Sequence, residues 1–133
     1  MAGIIELTAL LKTMEPVLHE PEYVFCTVSG RLDEYVPLNP IATFQEQEGL
    51  TLIVEKAAAQ QYGLEYEGPF HQITLSVHSS LEAVGLTAAV ARCLTEQGIS
   101  ANVVAAFYHD HIFVQTNHAQ AALSALTTLA ASS

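Results

Sequence analysis

Three groups of residues are of types that do chemistry. Ser79-Ser80-Leu81-Glu82 leads into a run with helical apolar spacing, which sets two hydroxyls and a carboxylate where a helix begins. Free backbone N–H groups and the positive end of the helix dipole favour a bound carboxylate there, and Glu82 is placed to pair with an ammonium. Gly85 lets backbone approach a ligand or a neighbouring subunit closely. The same residues also fit a plain helix cap with a packing glycine, and residue types alone leave both readings open.

The second group is His109-Asp110-His111 with His78, imidazoles and a carboxylate of the kind that bind transition metals. Histidines at i and i+2 face one side only where strand geometry persists, and Asp in a hairpin tip is ordinary turn chemistry. A small metal-binding protein using these histidines is therefore one alternative reading and a purely structural oligomerisation module the other, with no metal in the main one. The third group is the thiols. Cys26 sits in an alternating apolar run and Cys93 on the apolar side of a helical one, as small core residues of a reducing compartment do. No G-x-S-x-G, P-loop, G-x-G-x-x-G, H-E-x-x-H or C-x-x-C occurs, so nothing points to catalysis.

The elements that must position these groups follow from periodicity. Leu7, Leu10, Leu11 and Met14 make one stripe of a short helix that Pro16 stops. Tyr23 to Ser29 is β-rich, and a stretch marked by Pro37 and Pro40 follows. Ala42 to Gln47 and Leu50 to Glu55 read as strands joined at Glu48-Gly49, and Lys56 to Tyr62 as a helix ended by Gly63. In the second half, Gln72 to Val77 alternates as a strand. Leu81 to Gln97 is helical, with Leu86, Val90, Cys93 and Leu94 on one face and Gly98 just past its end. Asn102 to Phe107 and Ile112 to Thr116 are strands joined through Tyr108-His109-Asp110-His111. Asn117 caps a last helix with Ala119, Ala122, Leu123, Leu126, Leu129 and Ala130 along one side.

The order β-α-β-β-α, with a right-handed crossover, makes an antiparallel sheet with both helices on one face, an α+β ferredoxin-like fold. In it the loop at 79–82 and the hairpin tip lie at the same end of the sheet. The first half repeats the order with prolines in the slot of its first helix, so the chain reads as a degenerate duplication. Nothing after the last helix supplies a fourth strand, which must come from elsewhere in the chain or from a partner.

Composition narrows the partners. Of 133 residues, 4 are Lys or Arg and 14 Asp or Glu, a net charge of −10 with no basic cluster, which disfavours nucleic acid and anionic membrane surfaces. Half the residues are hydrophobic and 14% charged, and the mean hydropathy of +0.31 suggests more apolar surface than a small monomer hides. That points to a homo-oligomer. No run reaches the ~18 apolar residues of a membrane span, and Glu6 stands where a signal peptide carries positive charge, so a cytoplasmic chain is expected.

The segment HSSLEAVGLTAAVARCLTEQGISANVVAAFYHDHIFV, His78 to Val114, resembles the core of an ACT domain of the tandem type, and EYVFCTV, ATFQEQEGLTLIVEK and GLEYEGPFHQITLSVHSSLEAVGL resemble the rest of that small bacterial family. The resemblance implies two ACT-like halves of βαββαβ type, a degenerate one over 1–68 and an ACT domain over 69–133 whose fourth strand is the one missing. It implies a non-catalytic regulatory protein, without cofactor, that senses a small molecule, usually an amino acid, as a homodimer or higher oligomer. The effector would lie at the loop of Ser79, Ser80, Leu81, Glu82, Val84, Gly85 and Leu86, with Asn102 and Val103 joining across a subunit or domain interface. By residue type alone Asn102, after Gly-Ile-Ser, equally suits a turn.

Overall fold

A computed structural model describes residues 7–76 and 85–133 of the chain. They divide into two compact units that are not successive halves: Pro21–Phe70 is one, and Met1–Glu20 with His71–Ser133 the other. Two long strands, β1 (Pro16–Val28) and β4 (Glu67–Leu75), each run from one unit into the other. The boundary expected between residues 68 and 69 therefore falls inside β4.

In the unit of Pro21–Phe70, the later part of β1 is followed by α2 (Leu32–Tyr35), a 3-10 turn (Val36–Leu38), β2 (Ala42–Gln45), β3 (Leu50–Glu55) and α3 (Lys56–Gln61), and then by the start of β4. The strand order is β2-β3-β1. β1 is antiparallel to β3, with Tyr23 opposite Glu55 and Val28 opposite Leu50. Alternation sends Val24, Cys26, Val28, Leu50, Leu52 and Val54 to one face, where they form a core with Leu38 and Ala59.

The proline-marked slot is not wholly irregular. It holds one helical turn, in which the Arg31 N–H donates to Glu34 Oε1 at 2.8 Å, and a 3-10 turn in which Pro37 takes an early position where its missing N–H costs nothing. The hairpin link has four residues rather than two, and the Glu46 N–H donates to the Gly49 carbonyl at 2.9 Å. Glycine is needed at 49 for room: a Cβ there would stand 2.7 Å from Thr27 Oγ1 and 3.1 Å from the Val28 carbonyl oxygen.

The other unit contains α1 (Leu7–Thr13), the start of β1, the later part of β4, α4 (Leu86–Glu96), β5 (Asn102–Ala105), β6 (Asp110–Gln115) and α5 (Ala119–Ala131). Its order is β1-β4-β6-β5. β5 and β6 are antiparallel, with Asn102 opposite Phe113. One core joins Leu10, Leu11 and Met14 to Ile73, Leu75, Ile112 and Val114 of the strands and to Leu86, Val90, Leu94, Ala122 and Leu126 of the helices.

The missing fourth strand is the start of β1. The Ser76 N–H donates to the Glu15 carbonyl at 2.9 Å, and His71 Nδ1 to the His19 carbonyl at 3.0 Å, so the two segments run antiparallel with 15 near 76 and 19 near 71. Each unit thus has the ferredoxin-like order of fourth, first, third and second strands, and each long strand serves as first strand in one unit and fourth in the other. This is an α+β fold of two βαββαβ repeats.

α4 begins at Leu86, behind Gly85, which is left-handed at φ 101°; the start expected at Leu81 lies outside the described residues. The start of α5 differs from expectation. Asn117 does not cap α5. It lies inside a 3-10 turn, Thr116–His118, whose Thr116 carbonyl accepts the Ala119 N–H. The C-terminus of α4 follows expectation: Gly98, at φ 72°, donates to Thr95 and Ile99 to Leu94 through backbone bonds of 2.9 Å, and Ile99 is buried against that end of the core. Among the described residues, no helix is long and apolar enough to cross a membrane.

Candidate functional site

Of the residues proposed to hold an effector, Gly85 and Leu86 form the head of α4, while Ser79, Ser80, Leu81, Glu82 and Val84 lie outside the described residues, as does His78. Gly85 is the N-cap, and the Ala89 N–H donates to its carbonyl at 2.9 Å, opening the helical ladder. A glycine cap has no side chain with which to close the first-turn N–H groups that follow it. A Cβ at 85 would meet Leu7 Cδ2 at 3.4 Å, an ordinary contact, so glycine is required there by the left-handed backbone and not by crowding. Leu86, 3% exposed, points into the core and fixes where the helix starts.

Asn102 and Val103 open β5, after the far end of α4. An 11-residue helix rises about 16 Å, so within this unit the structure does not bring them beside Gly85. Asn102 Nδ2 donates to the Phe113 carbonyl at 3.2 Å, and Val103 packs on the core.

The histidine group is rearranged. β6 starts at Asp110, so the tip consists of residues 106–109, closed by the Ala106 N–H donating to the His109 carbonyl at 3.1 Å. His111 belongs to the strand instead, on the face opposite the helix-covered Ile112 and Val114. There it joins a polar cluster that single-residue reading missed: His19 Nε2 lies 2.8 Å from Thr74 Oγ1, and His111 Nδ1 lies 3.0 Å from both Thr74 Oγ1 and Gln72 Nε2. The signal was the alternation Gln72-Ile73-Thr74-Leu75, which turns two polar residues to the face away from the helices, where both are nonetheless buried. Among the described residues, no group of three His, Cys, Asp or Glu side chains is disposed to hold a metal ion.

The proton inventory defines the state of this cluster. Gln72 Nε2 donates to His111 Nδ1, whose single lone pair is shared with the neighbouring Thr74 hydroxyl, and that hydroxyl can accept from His19 Nε2–H. All of this needs a neutral His111. Burial lowers its pKa, with further lowering from His109 and His19 against a smaller opposing effect of Asp110. Burial raises the Asp110 carboxyl, partly offset by His111 and His109.

A depressed histidine stabilises the fold fully above its unfolded pKa, near ~6.5, and that contribution is lost as pH falls through the folded value. Wild type is therefore expected to lose melting temperature between pH 7 and pH 5 more steeply than His111→Gln. Equal slopes in thermal melts would show that the cluster is not held by neutral His111. Asp110 contributes with the opposite sign, its stabilisation being lost as pH rises through its raised folded pKa.

Both thiols are pushed up by burial, Cys93 further by Glu96, which leaves neither poised as a nucleophile at neutral pH. Cys26 is in the core, whereas Cys93 is half-buried on α4 with its Sγ 3.5 Å from the Ala125 carbonyl oxygen.

Two ferredoxin-like units, one with a left-handed glycine at a helix head, define a tandem small-domain protein. Two family models, both described as ACT domain, match residues 2–71 and 67–128, and the chain belongs to the ACT domain family, whose members are regulatory ligand-binding domains. It is similar, at 60% identity and a TM-score of 0.87 over 93% of this chain and 95% of the other, to a Vibrio cholerae protein of unknown function described as a possible transport protein. Its fold is also that of an Agrobacterium tumefaciens protein at 14% identity, with a TM-score of 0.70 over 88% of this chain and 89% of that one. The ligand-free regulatory subunit of aspartate kinase from Thermus thermophilus shares the fold at 12% identity, with a TM-score of 0.69 over 90% and 97%. No curated protein matches the chain.

Proposed function

We propose that this chain is a non-catalytic, cytoplasmic regulatory module that binds an amino acid at the head of α4 and acts as a homodimer or higher oligomer. The observation that carries the reading is the entry to α4: a left-handed glycine cap with no side chain leaves first-turn amides for a ligand carboxylate, in a chain made of two ACT domains. Ser79, Ser80, Leu81, Glu82 and Val84, with Gly85 and Leu86, form the loop side of the site, and Glu82 meets the ligand ammonium. Asn102 and Val103, at the other end of α4 within one unit, contribute from a neighbouring unit or subunit. As sequence repeats, 1–68 is the degenerate partner of 69–133, although residues 1–20 pack in the same compact unit as 71–133.

Thermal melts with each of the twenty amino acids at millimolar concentration test this. A ligand at a hundred times its dissociation constant adds about 2.7 kcal/mol, which for a chain of this size raises the melting temperature by roughly 10 °C. Gly85→Val, which forces a β-branched residue into a left-handed angle, is expected to abolish the shift. If no amino acid raises the melting temperature, the amino-acid reading is wrong.

A further inference from the structure

We propose that a second copy of this chain docks on the outer face of α4 and α5 about a twofold axis, with Arg92 of each copy paired to Glu96 of the other. The proposal deepens the homo-oligomer of the reading above by assigning its surface, and does not depend on which ligand is bound.

The first observation is a cleft of about 670 Å³ between the two helices, on the side away from the sheet, floored by Ala89, Cys93, Ala121, Ser124, Ala125 and Thr128 and flanked by Arg92 and Glu96. The second is the distribution of charge. The chain carries −10 overall, and two such copies repel wherever acidic surfaces meet. α5 nevertheless has no charged residue, and α4 has only Arg92 and Glu96. The exposed positions of α5 are Gln120, Ala121, Ser124, Thr127, Thr128 and Ala131, whereas a helix face turned permanently to water usually carries charge. This is a neutral window in an acidic molecule.

The two charges in the window are complementary to themselves under a twofold operation. Arg92 and Glu96 are one turn apart on the same helix, and neither has an ion-pair partner among the described residues. The order Arg before Glu is the weaker one for pairing within a helix. When α4 meets a copy of itself running the opposite way, Arg92 of one lies against Glu96 of the other, and the symmetry makes the pair twice. The small side chains between them let the helix backbones come close.

Sedimentation equilibrium of the full chain tests this by charge exchange, with circular dichroism melts as a check that each exposed-site variant folds. Wild type is expected to be a dimer. Arg92→Glu sets two carboxylates against each other and Glu96→Arg two guanidinium groups, so each alone is expected to weaken self-association at least tenfold. An equimolar mixture of R92E and E96R restores both pairs and is expected to form a heterodimer with near wild-type affinity. A Ser124→Arg variant, which fills the cleft with a charged side chain, is expected to be monomeric. A wild-type monomer at 100 µM would overturn both this surface and the homo-oligomer. A dimer whose affinity R92E, E96R and S124R leave unchanged would overturn this surface alone. Neither result touches ligand binding, which the amino-acid melts decide.

Discussion

A fragment that begins at His71 is expected to be unfolded, although it holds every strand and helix of its repeat except the fourth strand. That strand is Pro16–Glu20, and α1 comes with it. Leu10, Leu11 and Met14 lie in the same core as Ile73, Leu86 and Leu126, none of the three more than 9% exposed. Burying an aliphatic side chain contributes about 1.5–3 kcal/mol, so removing three forfeits roughly 5–9 kcal/mol, comparable to the whole stability of a small domain. The cut also strips β4 of a hydrogen-bonding neighbour. Circular dichroism of residues 71–133 is expected to show no cooperative melt, while the full chain melts in one. A cooperative melt in the fragment would show that the first twenty residues are not part of that folding unit.

The second large effect is expected at Leu94. It is fully buried, and its carbonyl accepts the Ile99 N–H that closes the end of α4. Leu94→Ala leaves a cavity beneath that closure and is expected to cost about 2–5 kcal/mol, which lowers the melting temperature by roughly 7–18 °C. Cys93→Ala, one position along and half-buried, is expected to cost much less. Urea denaturation of the two variants checks the difference, and a Leu94→Ala loss below about 1 kcal/mol would contradict the packing described.

The repeat was legible because alternation and helical spacing are local. Val24, Cys26 and Val28, the stripe of Leu10, Leu11 and Met14, and the closure at Gly98 are all readable within a few residues, and each lies in the structure as its spacing implies. The length of β1 was not legible. Pro16 and the polar His19-Glu20-Pro21 break the apolar pattern midway, where the strand passes from one core to another, so each half obeys a different burial rule. The Gln72, Thr74, His19 and His111 cluster was hidden for a related reason. Its members come from three strands, and only the strand order makes them neighbours. At the candidate site the glycine was found by type, but where the helix starts depends on a backbone angle that residue types alone did not reveal. Asn102 was grouped with Gly85 by family resemblance, and the rise of one helix separates them.

The chain leaves the larger unit at Glu20 and re-enters it at His71, on neighbouring antiparallel strands. Everything between is therefore a parenthesis in the polypeptide. A tight turn from residue 20 to residue 71 would make those strands an ordinary hairpin and leave the surrounding ladder intact. The second core is thus one uninterrupted insertion in chain order, and excising it calls for a single new junction between residues that are already close.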